Sequence, residues 1–318
     1  NPQARPPVLG RRWYSQGSHN TAVGGTSGST DAGIRFYAAR SRKADESVAC
    51  YAIASQLYHF SLLHGHVHGN IAEDHARKAA TFCAGRLAGL TAHAFMEQVQ
   101  RKALQDCTDA EGLKLQESEA AAAAWGHALV SAFAHCDRLA AGEALAARCS
   151  GIHVVVARSG IYIASLGTCR AAVGIESGDR TVSCHASSQP HTILNSVEAK
   201  RMANTSDKER MAAAPLATPT RFLCAELDKR QQSGFLAFPD VVRHLHAKQR
   251  QYIVLGSPGL WGDDVHDTVQ AAADAYTQGR SPADELIARS EGDAVAVVLV
   301  FPASLHDQGM KLLPSHSE

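Results

Sequence analysis

Two long helical stretches are inserted between blocks of strand-like runs, and that order constrains the fold of this chain more than any other feature. Residues 34–38 and 48–54 have the β-branched and aromatic character of strands, and the apolar run 58–63 leads into a histidine-rich loop. From about residue 71 to 104, Ala76, Ala79, Ala80, Cys83, Leu87, Leu90 and Ala94 recur near helical spacing, interrupted by Gly85 and Gly89. From about 117 to 148, Trp125, Leu129, Ala132, Phe133 and Cys136 mark one face of a second helix, which a run of alanines favours. Strand character then returns. Residues 152–157 and 161–166 flank Arg158-Ser159-Gly160 as a hairpin would, and 171–175 continues the sheet. Residues 203–220 carry Pro215 and Pro219 and read as a surface loop or flap. Beyond them, 241–248 reads as helix, 252–255 as a buried strand, 264–278 and 282–289 as helices, and 294–301 as an unbroken β-branched strand. Helices segregated from strands in this way predict an α+β sandwich with the helices outside a mainly antiparallel arrangement.

Charge narrows the class of partner. Lysine plus arginine and aspartate plus glutamate are balanced at 31 each, which argues against nucleic acid, because neutralising phosphates needs clustered cations. No apolar run approaches the ~18 residues of a membrane span. The 8 cysteines are scattered without a Cys-x-x-Cys pair, and they read as free thiols in a reducing compartment. Residues 1–32 read as an N-terminal extension. It carries Arg5, Arg11 and Arg12 with no acidic residue before Asp31, and Arg12-Trp13-Tyr14-Ser15 has the order of a mitochondrial processing site. Pro2, Pro6 and Pro7 run against an amphipathic helix there, and residues 16–33 are linker-like in their Gly, Ser and Thr content. The expected location is mitochondrial, on the matrix side. Residues 303–318 read as a C-terminal tail.

Between these ends, over 33–302, six short motifs stand in a fixed order. Ile161 to Arg170, ending Ala164-Ser165-Leu166-Gly167-Thr168-Cys169-Arg170, resembles the strand of type 2C metal-dependent protein serine/threonine phosphatases that ends Ala-Asn-x-Gly-Asp-Ser-Arg. Tyr252-Ile253-Val254-Leu255-Gly256-Ser257-Pro258-Gly259-Leu260-Trp261-Gly262 is similar to that family's Phe-Leu-Ile-Leu-Ala-Ser-Asp-Gly-Leu-Trp-Asp, and Phe238-Pro239-Asp240-Val241 matches the segment that precedes it. Arg42-Lys43-Ala44-Asp45-Glu46-Ser47 resembles Arg-x-x-Asn-Glu-Asp. His64-Gly65-His66-Val67-His68-Gly69 resembles Asp-Gly-His-Gly-Gly. Glu291-Gly292-Asp293-Ala294-Val295 resembles the closing Asp-Asn-Ile-Thr-Val, and Glu198-Ala199-Lys200-Arg201-Met202 fits Glu-x-x-Arg-Ile.

The resemblance implies a four-layer α-β-β-α sandwich of two mainly antiparallel sheets flanked by helices. It also implies where a two-metal centre would stand, and there the residues change. The positions of the metal-binding aspartates hold Ser47, His64, Thr168 and Pro258, and the aspartate after the tryptophan is Gly262. Hard divalent cations take oxygen ligands, carboxylates above all, and use them to activate a bridging water. Proline offers no side-chain ligand, hydroxyls are weak ones, and imidazole suits zinc better than magnesium. Only Glu46 and Asp293 remain as acids. The resemblance with these losses implies an inactive phosphatase-like protein with no catalytic residues and no cofactor. It would serve as a scaffold subunit of a multi-protein complex, either ribosome-like or membrane-associated.

Two alternatives stay open at this stage. Arg42 matches the family's phosphate-contacting arginine, which allows a module that binds a phosphate or phosphopeptide without cleaving it. His64, His66 and His68 fall on one side of an extended segment and, with Asp293, allow an unorthodox metal-dependent phosphatase. Arg170 is expected to brace its loop, and Trp125 and Trp261 to pack in the core or at an interface.

Overall fold

A computed structural model describes residues 26–303 apart from 31–32, 42–46, 55–56, 68–71, 106–112, 158, 187, 204–217, 226–228, 230–233, 263 and 291. Sheet A has the strand order β1-β2-β11-β10-β7-β8, formed by β1 (Thr26–Ser29), β2 (Arg35–Arg40), β11 (Val295–Phe301), β10 (Gln251–Gly256), β7 (Arg170–Glu176) and β8 (Val182–Ala186). Sheet B has the order β3-β4-β5-β6-β9, formed by β3 (Ser47–Ala54), β4 (Leu57–His66), β5 (Arg148–Ala157), β6 (Gly160–Leu166) and β9 (Asp240–His244). All the pairings are antiparallel.

Period-two alternation stacks these sheets. In β11, Val295, Val297, Leu299 and Phe301 face sheet B, where they meet Phe60, Leu62, Val154 and Ile163. Ala296, Val298 and Val300 face the other way, against α4 (Val265–Thr277) and α5 (Pro282–Arg289). A strand covered on both faces must be apolar throughout, which is why 294–301 shows no alternation in sequence. On the far side of sheet B, α1 (Glu73–Gln105) and α2 (Leu113–Gly142) bury Ala76, Ala79, Ala80, Cys83, Leu87, Trp125, Leu129 and Phe133 against Leu63, Val155 and Tyr162. Phe95 and Trp125 stack with ring centroids 3.7 Å apart and planes 5° from parallel, fixing the two helices to each other. The layers therefore run α-β-β-α.

The helix starts follow local chemistry. Glu73 and Asp74 stand in the first turn of α1, where the helix dipole favours acids. Asp264 caps α4 by accepting the His266 N–H, and Ser281 with Pro282 opens α5.

Four readings of the sequence differ from the structure. Residues 241–248 do not form a helix: Asp240–His244 is strand β9, because Val241 and Val242 pair with Ala164 and Ile163 at the edge of sheet B. The second helix ends at Gly142, before Ala144 takes a φ of 52°, and Arg148 already begins β5. Residues 171–175 belong to the opposite sheet from the hairpin they follow. Thr26–Ser29, inside the linker-like stretch, pairs with β2 as β1. A short helix α3 (Ser196–Ala203) follows β8.

Candidate functional site

The two sheets are joined at one end of the sandwich, and that junction is the candidate site. β6 of sheet B passes directly into β7 of sheet A through Gly167, Thr168 and Cys169. Gly167 makes the crossing with φ +81°, and a Cβ there would stand 2.0 Å from the Ser150 hydroxyl, so only glycine fits. The same end of sheet B carries the close of β4, with His64 and His66, and the opening of β5, with Ser150. The same end of sheet A carries the close of β10, a single 3₁₀ turn at Pro258–Leu260, and the opening of β11. Register places Ser47 opposite His64. Segments far apart in sequence thus bring Ser47, His64, Thr168, Pro258 and Asp293 to one end of the sandwich.

At the crossing the contacts are direct and involve no carboxylate. The buried Ser150 hydroxyl oxygen accepts the Thr168 backbone N–H at 3.0 Å. It lies 2.6 Å from His66 Nε2 and 3.3 Å from the Thr168 hydroxyl. The Ser150 oxygen has a second lone pair, so the donor in the bond to Nε2 is set by the His66 tautomer. Thr168 Oγ1 is itself 3.5 Å from His66 Nε2. A serine this close to an imidazole has the outline of a nucleophile and its base. Ser150 is 0% exposed, however, so no substrate atom reaches its oxygen. The His64 and His66 rings meet edge to face with centroids 4.7 Å apart. Burial lowers the His64 pKa to about 4, so that ring stays neutral near pH 7.

On the sheet A side, Ser257 is buried and its hydroxyl accepts the Val295 N–H at 2.9 Å. Pro258 is exposed, and Gly259 packs so closely on the Asp293 backbone that a Cβ would fall 2.2 Å from its carbonyl oxygen. The Asp293 carboxylate accepts from the Ser41 hydroxyl at 3.5 Å, and Ser41 in turn accepts the Ala294 N–H at 3.0 Å. Gly262 is exposed beyond the turn. Arg42, Glu46 and His68 lie outside the described residues. No group of three or more His, Cys, Asp or Glu side chains suited to holding a metal ion occurs among the described residues. The donor set at the aspartate positions, two hydroxyls, one imidazole and a proline, does not fit a hard divalent cation.

Behind the crossing stands a polar network that sequence reasoning did not assemble. His191 accepts the Gly167 N–H at Nδ1, 3.0 Å, and donates from Nε2 to Asp240 at 2.9 Å. Arg221 bridges Asp240, at 2.8 Å, to the fully buried Glu198. Glu198 also accepts from Arg201, at 2.7 Å, and from the Thr220 hydroxyl, at 2.6 Å. Burial alone would raise the Glu198 pKa, but the bonds from Arg201, Arg221 and Thr220 outweigh it and hold the carboxyl at about 2. The His191 bond, working against burial and helped by Arg221, holds Asp240 at about 2. The motifs named Glu198, Arg201 and Asp240. His191, Arg221 and Ser150 carried no local signal.

Arg170 lies over the Trp261 ring, 5.2 Å from its centroid, and the Trp261 indole donates to the Gly256 carbonyl at 3.3 Å. Trp125 is in the core. Cys83, Cys136, Cys149, Cys169, Cys184 and Cys224 are free thiols.

Residues 48–290 match the family profile described as Protein phosphatase 2C. No curated protein sequence matches the chain. Among solved structures, the fold is similar to the serine-threonine phosphatase 2C from Toxoplasma gondii, with a TM-score of 0.60 and 16% identity over 88% of this chain and 99% of that one. It is similar to the S. agalactiae serine/threonine phosphatase, with a TM-score of 0.52 and 15% identity over 88% and 99%. It is also similar to a C. elegans sex determining protein, with a TM-score of 0.55 and 13% identity over 92% and 67%.

Proposed function

This chain belongs to the protein phosphatase 2C family, and from that premise we propose that it is a non-catalytic member whose folded domain serves as a structural subunit of a larger protein assembly. The observation that carries the reading is the Ser150–Thr168–His66 knot. Converging carboxylates repel one another unless a metal offsets their charge. Here the crossing between the sheets is tied by hydrogen bonds among two hydroxyls, a backbone N–H and an imidazole, with no carboxylate for a metal to offset. Pro258 supplies no ligand at the turn, and Gly262 has no side chain beyond it. A fold that holds its own junction closed in this way can carry binding sites grafted onto its surface without chemistry at its centre.

The arginines and absent acids of residues 1–30 support a mitochondrial, matrix-side location. The balanced charge supports protein partners over nucleic acid. The reading of a phosphate-binding module through Arg42 rests on the motif alone.

The test uses protein purified from its native source. We expect no Mn²⁺-dependent hydrolysis of a phosphoserine peptide above the metal-free background, and co-migration with a reproducible set of subunits identified by mass spectrometry. Robust Mn²⁺-dependent turnover sinks the non-catalytic reading. Migration as a lone monomer sinks the subunit reading. One or two bound metals per chain would favour a hydrolase built on His64, His66, His68 and Asp293.

A further inference from the structure

We propose that Arg170 and Trp261 form a seat for an oxyanion, a phosphate group above all, on the outer, helix-covered face of sheet A and apart from the crossing between the sheets. Arg170 opens β7 directly opposite Gly256. Position 172, two residues on, packs toward α4 and α5, and strand alternation puts Arg170 on that same face. Its guanidinium is half-buried and meets no carboxylate within ion-pair distance among the described residues. Its Nε is closed off from solvent and meets no acceptor.

That is unlike the other part-buried arginines of known partner. Arg201 and Arg221 bond Glu198, Arg243 bonds the Ser159 carbonyl, and Arg250 bonds Glu176. Buried guanidinium groups are ordinarily paired, because an enclosed donor without an acceptor is costly.

The platform beneath the cation is fixed. Gly256 leaves the space that Trp261 fills, since a Cβ there would fall 2.7 Å from the indole nitrogen. The indole N–H is itself bonded back to the Gly256 carbonyl. Stacking on an indole uses the face of a guanidinium and spares its N–H edge; with Nε enclosed, the two terminal Nη groups are the donors that remain for a ligand. The surroundings set a limit: Cys184 lies within electrostatic reach of both Arg170 and Asp264. The Asp264 carboxylate is committed to capping α4 and does not pair with Arg170. A phosphate group, with three acceptor oxygens, can take the N–H edge in forked fashion. The source is either free phosphate or a phosphorylated side chain of a partner.

The test follows the Arg170 Nε–H and Trp261 indole N–H resonances in the ¹⁵N-labelled full chain. Sodium phosphate, a phosphoserine peptide and sodium chloride are titrated at constant ionic strength. We expect saturable shifts of both resonances with phosphate or the phosphopeptide and none with chloride. Tighter binding of the phosphopeptide identifies a protein partner as the source, and tighter binding of inorganic phosphate identifies the free ion. Arg170→Lys keeps the charge and loses the fork, and should weaken binding at least about tenfold. Trp261→Phe keeps a smaller platform, should weaken it several-fold, and serves if Arg170→Lys fails to fold. Absence of saturation, shifts shared equally by chloride, or full binding by both folded variants overturns the proposal.

Discussion

Ser150 Oγ and His66 Nε2 stand 2.6 Å apart, with the Thr168 backbone N–H held on the same oxygen. One hydroxyl thereby ties β4, β5 and the crossing from β6 to β7. Both sheets depend on it at the point where the family's chemistry would require charge.

Removing that hydroxyl should loosen the junction. Ser150→Ala leaves the buried Thr168 N–H without its acceptor and takes the 2.6 Å contact from His66 Nε2. The expected cost is roughly 1–3 kcal/mol by urea unfolding. A loss below about 0.5 kcal/mol would mean that the three contacts contribute little to holding the sheets together.

Putting a carboxylate back should hurt rather than help. In Thr168→Asp the new group is largely buried, and burial raises its pKa in the folded state above the ~3.9 of the unfolded chain. Such a group costs stability as pH rises through that interval, so the variant should be nearest wild type in acid and weakest near neutrality. Millimolar Mn²⁺ should not restore its Tm, because Ser47 and Pro258 add no carboxylate. A metal-dependent rescue would show a better cation site than these residues describe.

Glu198 predicts a different acid dependence. Its folded pKa of about 2 lies below the unfolded value. It therefore contributes stability that is fully present above roughly pH 4.5 and lost as pH falls toward about 2. Asp240 acts in the same direction but is 54% exposed, so its share is discounted for solvent screening. Glu198→Gln takes the carboxylate from Arg201 and leaves Arg221 with only the half-exposed Asp240, and should cost roughly 3–5 kcal/mol at pH 7. It should also flatten the pH profile below pH 4.5. An unchanged profile would assign the acid transition to other groups.

The buried histidines act at higher pH. His64 titrates near 4 in the fold, and burial pushes His153 well below its ordinary range, with the His59 ring beside it adding to the effect. The unfolded chain takes up these protons from about pH 6.5 downward and the folded chain does not. Stability should therefore begin to fall as pH drops below about 6.5, and the lower end of this decline overlaps the Glu198 transition below roughly pH 4.5. Denaturation curves at half-unit pH steps would show a decline that starts near pH 6.5 and steepens below about 4.5, and His64→Gln should shrink its upper part.

The sequence made some of this legible and hid the rest for physical reasons. β10, β11 and the β5–β6 hairpin were readable because strands buried on both faces must be continuously apolar. β9 was not, because Val241 and Val242 are flanked by Asp240, Arg243 and His244, and only pairing with Ile163 and Ala164 decides its conformation. The landmark positions Ser47, His64, Thr168 and Pro258 could be named from motifs, since each sits in a fixed local pattern. Ser150 could not, because it meets His66 across 84 residues of chain and serines are common. The same holds for Arg221, whose two carboxylates come from α3 and β9.

One pairing sets when this domain can exist at all. β2 near the start of the fold lies against β11 at its close, with Arg40 opposite Val295 and Arg35 opposite Val300. A chain emerging from a ribosome, or threaded through a translocation pore, therefore cannot zip up sheet A until its last strand has come out. Until then the apolar face of sheet B lacks its cover, and contacts of such wide sequence separation form slowly. This architecture should lean on a holding chaperone during its own synthesis, and a truncation before residue 295 should fail as a whole rather than lose one edge.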